Sequence, residues 1–377
     1  MRIAFVTIEY PPNIRGGAGE HAEKLTAALA RRGHDVTVLT PGDQTTVIAP
    51  RLIVRGVPSG TSVLRFWSGL RNAIEALEPH PDVVHVNGLS YGYARRLTNL
   101  PVVLTVHHCV RDAARASGMS LLRRAAMPGS EEGPLMSAIE RRAVRGSDKV
   151  IAISRFTKGR IAELYGVPLD TIDVVPNGRA SWPSVADTSP LDISRPMILF
   201  VGRLDDRRKG FDVLLKAFPQ VAEATDATLI AVGRGDPAGW MRGLSSSLSS
   251  RIKFMGFIPS ERLAGLYLQA ELCIVPSRME GYGLTVAEAM QAGRAVVASN
   301  VGAIPEILRD ESQMVEPDNS GQLAQRIIGL LEDNTARRAL ELRNKKIGEA
   351  LPTWDEVAAA TEEIYSSIVQ SGPQVRR

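Results

Sequence analysis

MILFVGRLDDRRKGFDVLLKAF, residues 197–218, reads as a short apolar strand, a charged loop and an amphipathic helix in direct succession. The strand, 197–203, closes on Gly202-Arg203, and Phe211, Val213, Leu214, Leu215 and Phe218 gather on the apolar face of the helix. The same rhythm continues downstream through TLIAVGR (228–234), IKFMG (252–256), ELCIVPS (271–277) and RAVVAS (294–299), each run closed by Gly, Pro or a polar turn. Upstream it is already present. RIAFVTI (2–8) precedes a helical pattern over 19–33, with Ala22, Leu25, Leu29 and Ala30 near one face and Gly33 as a stop signal. DVTVLT (35–40), DVVHVN (82–87), VVLTVH (102–107), KVIAIS (149–154) and IDVVP (172–176) follow. Strands alternating with helices predict an α/β protein with parallel, doubly wound sheets.

The rhythm lapses once, over ASWPSVADTSPLDISRP (180–196), where three prolines, four serines and no periodicity mark a connector. The expected organisation is therefore a domain over 1–182, a linker over 183–196 and a second domain over 197–353. A C-terminal helix and polar tail over 354–377 are expected to pack back on the first domain. Ligands of such sheets bind beyond the carboxyl ends of the strands, so chemistry is expected in a cleft between the two domains.

The 377 residues suit two domains, and 44% hydrophobic with 23% charged residues excludes a disordered, collagenous or coiled-coil chain. Cys109 and Cys273 stand alone, which argues against a disulfide framework or a cysteine-based zinc site. MRIAFVTIEYPP lacks the shape of a signal peptide, and no run of ~18 apolar residues is present, so a cytoplasmic location is expected. Charge is uneven. Residues 1–185 hold 23 Lys and Arg against 16 Asp and Glu, a net of +7, whereas the remainder holds 22 against 25. The first half could meet an anionic partner or simply carry a solvated basic face. No recognition motif accompanies the charge, so nucleic acid is not expected.

Three constellations could carry chemistry. Gly16, Gly17 and Gly19 lie between strand and helix, where backbone can approach an anion or merely turn; the GGxG spacing is not the dinucleotide fingerprint. Arg203 and Lys209 sit past a strand end, and two cations there can neutralise a diphosphate without a metal. Glu280 opens a Gly281-Tyr282-Gly283 loop, and Glu288 follows within a helix predicted from Thr285 to Gln291. The amides of Leu284 and Thr285 at its start favour an anion, and Glu288 one turn on can accept from hydroxyls beside it.

GGAGEH (16–21), VGRLDDRRKGFD (201–212), VGRGD (232–236) and EGYGLTVAEAMQAG (280–293) together resemble glycosyltransferase family 4, in order and spacing, over nearly the whole chain. The resemblance implies the GT-B fold, two Rossmann-like domains with a nucleotide-sugar between them. It implies transfer with retention of anomeric configuration, no divalent metal and no cofactor. Of the E-x7-E pair, it places Glu280 near the donor sugar and Glu288 on the ribose. It places Arg203 and Lys209 on the diphosphate, Gly16, Gly17, Gly233, Arg234, Gly281, Tyr282, Gly283, Leu284 and Thr285 around the donor, and His107 in catalysis. Two departures fall on the acceptor side. Where the family often reads T-x-H-D this chain has TVHHC, with His108 in place of Asp, and where it often reads N-G-V-D this chain has NGRA, beginning at Asn177.

The expected function is transfer of a sugar from a nucleotide-diphosphate donor, UDP being favoured by the resemblance, to an acceptor hydroxyl held by residues 1–180. A GT-B epimerase or phosphorylase and a non-catalytic nucleotide-sugar-binding module are the rivals. Between His107 and Arg145 lie Arg111, Arg115, Arg123, Arg124, Arg141, Arg142 and Arg145, offset in part by Asp112, Glu131, Glu132 and Glu140. This segment is expected to close over a small or lipid-linked acceptor and to hold an anionic group on it, with His108, Arg111, Arg115 and Asn177 as candidate contacts. The cytosolic face of an anionic membrane is the competing partner, with Leu121-Leu122 beside Arg123-Arg124.

Overall fold

In the first half of the chain, apolar runs form β1 (Arg2–Thr7), β2 (Asp35–Pro41), β3 (Thr45–Ala49), β4 (Leu52–Val57), β5 (Val83–Asn87), β6 (Val102–Val106), β7 (Lys149–Ala152) and β8 (Ile172–Val174). They make one sheet in the order β3-β4-β2-β1-β5-β6-β7-β8. In the second half β9 (Met197–Val201), β10 (Thr228–Val232), β11 (Ile252–Gly256), β12 (Leu272–Val275), β13 (Ala295–Ser299) and β14 (Met314–Val315) make another, in the order β11-β10-β9-β12-β13-β14. The computed structural model describes residues 1–13, 16–60, 63–88, 98–118, 133–180, 182, 185–189, 191 and 196–371.

Both sheets are parallel apart from one strand. β3 runs antiparallel to β4, in a stretch where the sequence pattern predicts no strand. Its residues are largely exposed, Val47 and Ile48 among them, so the burial pattern that marks the other strands is absent. The helix predicted over 19–33 spans Gly17–Arg31, and the one predicted from Thr285 begins one residue earlier, as Leu284–Gln291.

Contacts gather into two units, one of Met1–Ala114, Met119–Gly178 and Pro352–Arg377, the other of Arg115–Gly118 and Arg179–Leu351. In the first, one face of the sheet packs a core that includes Phe66, Leu70, Val84, Leu104 and Tyr165. The other face buries Ile3, Phe5, Leu25, Leu29 and Val38 together with Trp354, Val357, Ala358 and Tyr365 of the last helix, Trp354–Ser371. That helix is further tied by Arg31 to Asp355 at 2.8 Å and Arg32 to Glu362 at 2.8 Å. Inside, the Tyr365 hydroxyl hydrogen-bonds His85 Nδ1, whose Nε2 meets the Thr105 hydroxyl at 2.8 Å. In the second unit Phe200, Phe211, Leu214, Phe218, Leu229 and Val297 are central to the core. Arg179 Nη1 donates to Glu349 O at 2.6 Å, so the two ends of this unit lie side by side.

The strand orders fix where each unit can bind. β1 lies between β2 and β5, and β9 lies between β10 and β12, so the winding direction reverses at these strands. Ligands of doubly wound sheets sit past the carboxyl ends of strands at that reversal. The loops there are those after β1 and β5 in the first unit, and residues 202–210 and 276–283 in the second.

Candidate functional site: a cationic loop pair, an uncapped helix and a buried histidine cluster

The loop after β9 is shaped by close backbone approaches. A Cβ on Gly233 would lie 1.9 Å from Gly202 O, and Gly233 has φ +140, so this junction of two strand ends requires glycine. Leu204 N donates to Arg234 O at 2.8 Å, fastening the loops after β9 and β10 together. Arg234 stacks its guanidinium over the exposed Phe257 ring, 5.3 Å from the centroid.

Asp206 organises the cations of this loop. It accepts from Arg208 N at 3.1 Å and from Arg208 Nε and Nη2, each at 2.9 Å, and pairs with Arg203. Burial pushes its carboxyl up, but hydrogen bonds and charge from Arg208, with charge from Arg203, outweigh this and hold it well below the usual carboxylate range. Asp206 is therefore an anchor for arginines. Among the described residues no group of three or more His, Cys, Asp or Glu side chains could hold a metal ion.

Lys209 reaches across to the loop after β12. Its Nζ donates to Glu280 Oε1 at 2.8 Å, and the Ser277 hydroxyl donates to the same oxygen at 2.8 Å. Arg278, which the sequence pattern does not single out, locks the two loops. It holds both oxygens of Asp212 at 2.7 and 2.8 Å, also pairs with Asp318, and takes Arg208 O through its own backbone N–H at 2.7 Å. The backbone of Glu280 is fixed as well. Ala303 N donates to Glu280 O at 3.0 Å, and a Cβ on Gly302 would lie 2.0 Å from that oxygen.

Tyr282 is buried, and burial pushes its phenol up to about 12. Gly283, at φ +101, then turns the chain into the helix Leu284–Gln291, whose N-terminus has no side-chain cap and no acidic residue in its first turn. Such an end presents backbone N–H groups, those of Leu284 and Thr285 foremost, to an anion. Glu288 accepts from the Tyr267 hydroxyl at 2.6 Å. Thus Arg203, Lys209, Glu280, Gly281, Tyr282, Gly283, Leu284, Thr285 and Glu288 come together at the switch point of one sheet, with Gly233 and Arg234 on the neighbouring loop.

In the first unit the ends of β1, β5 and β6 converge on a histidine cluster. Asn87 Nδ2 donates to Ala18 O at 3.0 Å, so its Oδ1 faces His107 Nε2 at 2.9 Å and accepts from it. That network gives neutral His107 its proton on Nε2 and leaves the Nδ1 lone pair as an acceptor. Gly88 has φ +85, and a Cβ built on it would lie 3.6 Å from the His107 ring. His21 lies edge-on to His107, centroids 4.9 Å apart, and its Nδ1 meets Asn177 Oδ1 at 2.8 Å. Burial holds His107 well below the ordinary imidazole value and lowers His21 to about 4, so both are neutral near pH 7. His21 lies within the quoted GGAGEH motif, yet its spacing reads as a helix face; its tie to Asn177 spans 156 residues. Gly16 precedes the helix Gly17–Arg31 and donates its N–H to Glu9 at 3.0 Å.

The remaining acceptor-side candidates separate. His108 is half-buried beside His107. Arg111 and Arg115 are exposed on the helix Val110–Ala116 and do not enter the His107 network. Arg111 instead lines a cavity of about 390 Å³ with Arg141, Ser137 and Tyr165. Beneath it Glu140 is buried, accepting from Val110 N at 2.8 Å and from the Tyr165 hydroxyl, and burial pushes its carboxyl up to about 7. Leu121, Leu122, Arg123, Arg124, Glu131 and Glu132 lie outside the described residues. Among the described residues no helix is long and apolar enough to cross a membrane.

Comparison with known proteins places these loops in context. Residues 15–179 match the family model described as Glycosyltransferase Family 4, and residues 195–333 match that described as Glycosyl transferases group 1. An uncharacterized glycosyltransferase of Methanocaldococcus jannaschii is 28% identical, covering 97% of this chain and 98% of its own. A phosphatidyl-myo-inositol mannosyltransferase of Mycolicibacterium smegmatis is 29% identical over 100% of this chain and 96% of its own. Among solved structures, sucrose-phosphate synthase from Thermosynechococcus elongatus superposes with a TM-score of 0.79 at 21% identity, covering 98% of this chain and 99% of that one.

Proposed function

Because the chain belongs to glycosyltransferase family 4 and has the GT-B fold, we propose that it moves a sugar from a nucleotide-diphosphate sugar to an acceptor hydroxyl, with retention and without a metal ion. The observation that carries this reading is the set Arg203, Lys209, Glu280 and the uncapped start of Leu284–Gln291, assembled at one sheet's switch point. Cations and oriented amides gathered in one place suit a leaving diphosphate, because charge grows on it in the transition state. The ribose falls to Glu288, and the favoured nucleotide is UDP.

The bond between the sugar's anomeric carbon and the β-phosphate oxygen breaks while the acceptor oxygen bonds to that carbon from the same face. The acceptor proton passes to the departing phosphate. Retention through a protein nucleophile finds little support, since Asp206 and Asp212 are engaged by arginines and Glu280 by Lys209 and Ser277. His107, with an acceptor lone pair at Nδ1, is assigned to the sugar's hydroxyls. The acceptor is assigned to the first unit, and Arg111 with Arg141 suits an anionic group on it. The relative named as a phosphatidyl-myo-inositol mannosyltransferase supports a phosphate-bearing, lipid-linked acceptor at the cytosolic face of a membrane.

Incubation with UDP-, GDP-, dTDP- and ADP-sugars in EDTA tests this reading. Slow release of the nucleoside diphosphate from one donor is expected. Binding with no turnover by any donor, or turnover that returns only with Mg²⁺ or Mn²⁺, overturns it.

A further inference from the structure

Glu288 is held from outside its own helix. Tyr267, on the helix Ser260–Gln269, is only 1% exposed, and its O–H donates to Glu288 Oε2 at 2.6 Å. The phenol ring is fixed in turn, because Trp182 packs edge-on against it with centroids 5.4 Å apart. The helix carrying Tyr267 is seated on the segment 185–189. Asp187 N donates to Glu261 O at 2.9 Å, and a Cβ on Gly265 would lie 1.7 Å from Asp187 O. The far end of the Glu288 helix is tied to the same stretch of chain, since Gln291 Nε2 donates to Ala180 O at 3.0 Å.

A buried tyrosine hydroxyl needs an acceptor, and a backbone carbonyl would serve. Here the acceptor is the carboxylate assigned to the nucleotide. A glutamate has three side-chain torsions, and its freedom is lost when it grips a diol. A fixed phenol removes much of that freedom before the ligand arrives, and preorganisation of this kind raises affinity without adding a ligand contact.

We propose that Tyr267 is a positioning residue for donor binding: its hydroxyl fixes the rotation of the Glu288 carboxylate so that the carboxylate meets the ribose diol. The proposal rests on the nucleotide-sugar reading above. Tyr267 touches no ligand atom; it acts through Glu288.

The test is calorimetric binding of the nucleoside diphosphate, among UDP, GDP and ADP, that the wild type binds most tightly, together with its 2′,3′-dideoxy counterpart. Tyr267→Phe keeps the ring against Trp182 and removes only the hydroxyl. It should weaken the ribonucleotide about 10-fold, the size of a hydrogen bond to a charged group, and leave the dideoxy form unchanged. In a Glu288→Gln background the added loss should vanish. Equal weakening of both nucleotides marks a structural role and overturns the proposal. So does wild-type affinity of Tyr267→Phe for the ribonucleotide while Glu288→Gln binds it weakly, an outcome that leaves the nucleotide reading intact. A wild type that binds none of the three nucleotides overturns the reading and the proposal together.

Discussion

Lys209 and Glu280 are bonded to each other, Nζ to Oε1 at 2.8 Å, although they stand 71 residues apart and on different loops. The pair joins the loop after β9 to the loop after β12, so each residue sets the position of the other. Lys209→Ala should lower kcat/KM by about 10²-fold or more, since on the proposed function it removes a charge-assisted phosphate contact. Glu280→Gln should fall by a similar factor. Because the two act as a unit, the double variant should lose little beyond the worse single, and fully multiplicative losses in steady-state kinetics would contradict this pairing.

The two units should respond to acid in different ranges. Burial depresses His21, His85 and His107 in the first unit, so the unfolded chain binds protons there before the folded one does. Stability from these groups is fully present above the ordinary imidazole value of ~6.5 and is lost as pH falls toward about 4, the value for His21. Asp206 in the second unit is a depressed carboxylate, so its contribution persists until pH falls below the ordinary value of ~4. Glu140, raised to about 7 in the same unit as the histidines, gains stability on protonation and offsets part of their loss. Three histidines outweigh one carboxyl, so thermal midpoints followed from pH 8 to 3 should drop first for the Trp354-containing unit, read by the emission of Trp67 and Trp354 in a background with Trp182 and Trp240 replaced by Phe. His21→Gln should flatten that slope; an unchanged slope would count against the assignment.

Gly233→Ala and Gly302→Ala should damage the donor site more than their size suggests. Each new Cβ would meet a backbone oxygen, Gly202 O at 1.9 Å or Glu280 O at 2.0 Å, and both glycines have positive φ. Backbone must move, at a cost of order 1–3 kcal/mol for the strained conformation alone. Donor KM should rise in both variants, whereas Gly329→Ala, where nothing lies within 4 Å of the added carbon, should behave as wild type.

Arg111→Ala and Arg141→Ala should weaken an acceptor that carries a phosphate or carboxylate, and spare a neutral one. The two arginines line one cavity of about 390 Å³, and each hydrogen bond to an anion is worth ~1.5–3 kcal/mol. Acceptor KM measured at rising salt should climb for the wild type and stay flat for the double variant. Equal use of neutral and anionic acceptors by wild type and variants would reduce these arginines to a solvated face.

Most of the parallel strands are legible because both faces are covered, so Val83–Asn87 and Ala295–Ser299 read as continuous buried runs, whereas β4 and the two-residue β14 are parallel strands that the sequence pattern does not pick out. β3 is not legible either, since Val47 and Ile48 face solvent and leave no burial signature. In the site, residues standing in glycine-rich loops at strand ends, Arg203, Lys209 and Glu280, declare themselves by type and place. Their supports do not. Tyr267 lies in LAGLYLQ and reads as one more apolar helix residue; Arg278 reads as a surface charge until Asp212, 66 residues away, is found beneath it. Pairings of that separation are set by how sheets wind, which local pattern does not encode.

The last helix completes the unit that the first strand begins, and the ends of the intervening unit meet at Arg179 and Glu349. On the ribosome the order of birth is thus inverted relative to the order of completion. Residues 179–351 can consolidate while Trp354, Val357 and Tyr365 are still inside the exit tunnel, and the sheet begun at Arg2 waits with one face covered only in part, by the helix Gly17–Arg31. The N-terminal half is therefore the segment exposed longest to holding chaperones and proteases. Premature termination anywhere before Trp354 leaves it unsealed, however intact residues 179–351.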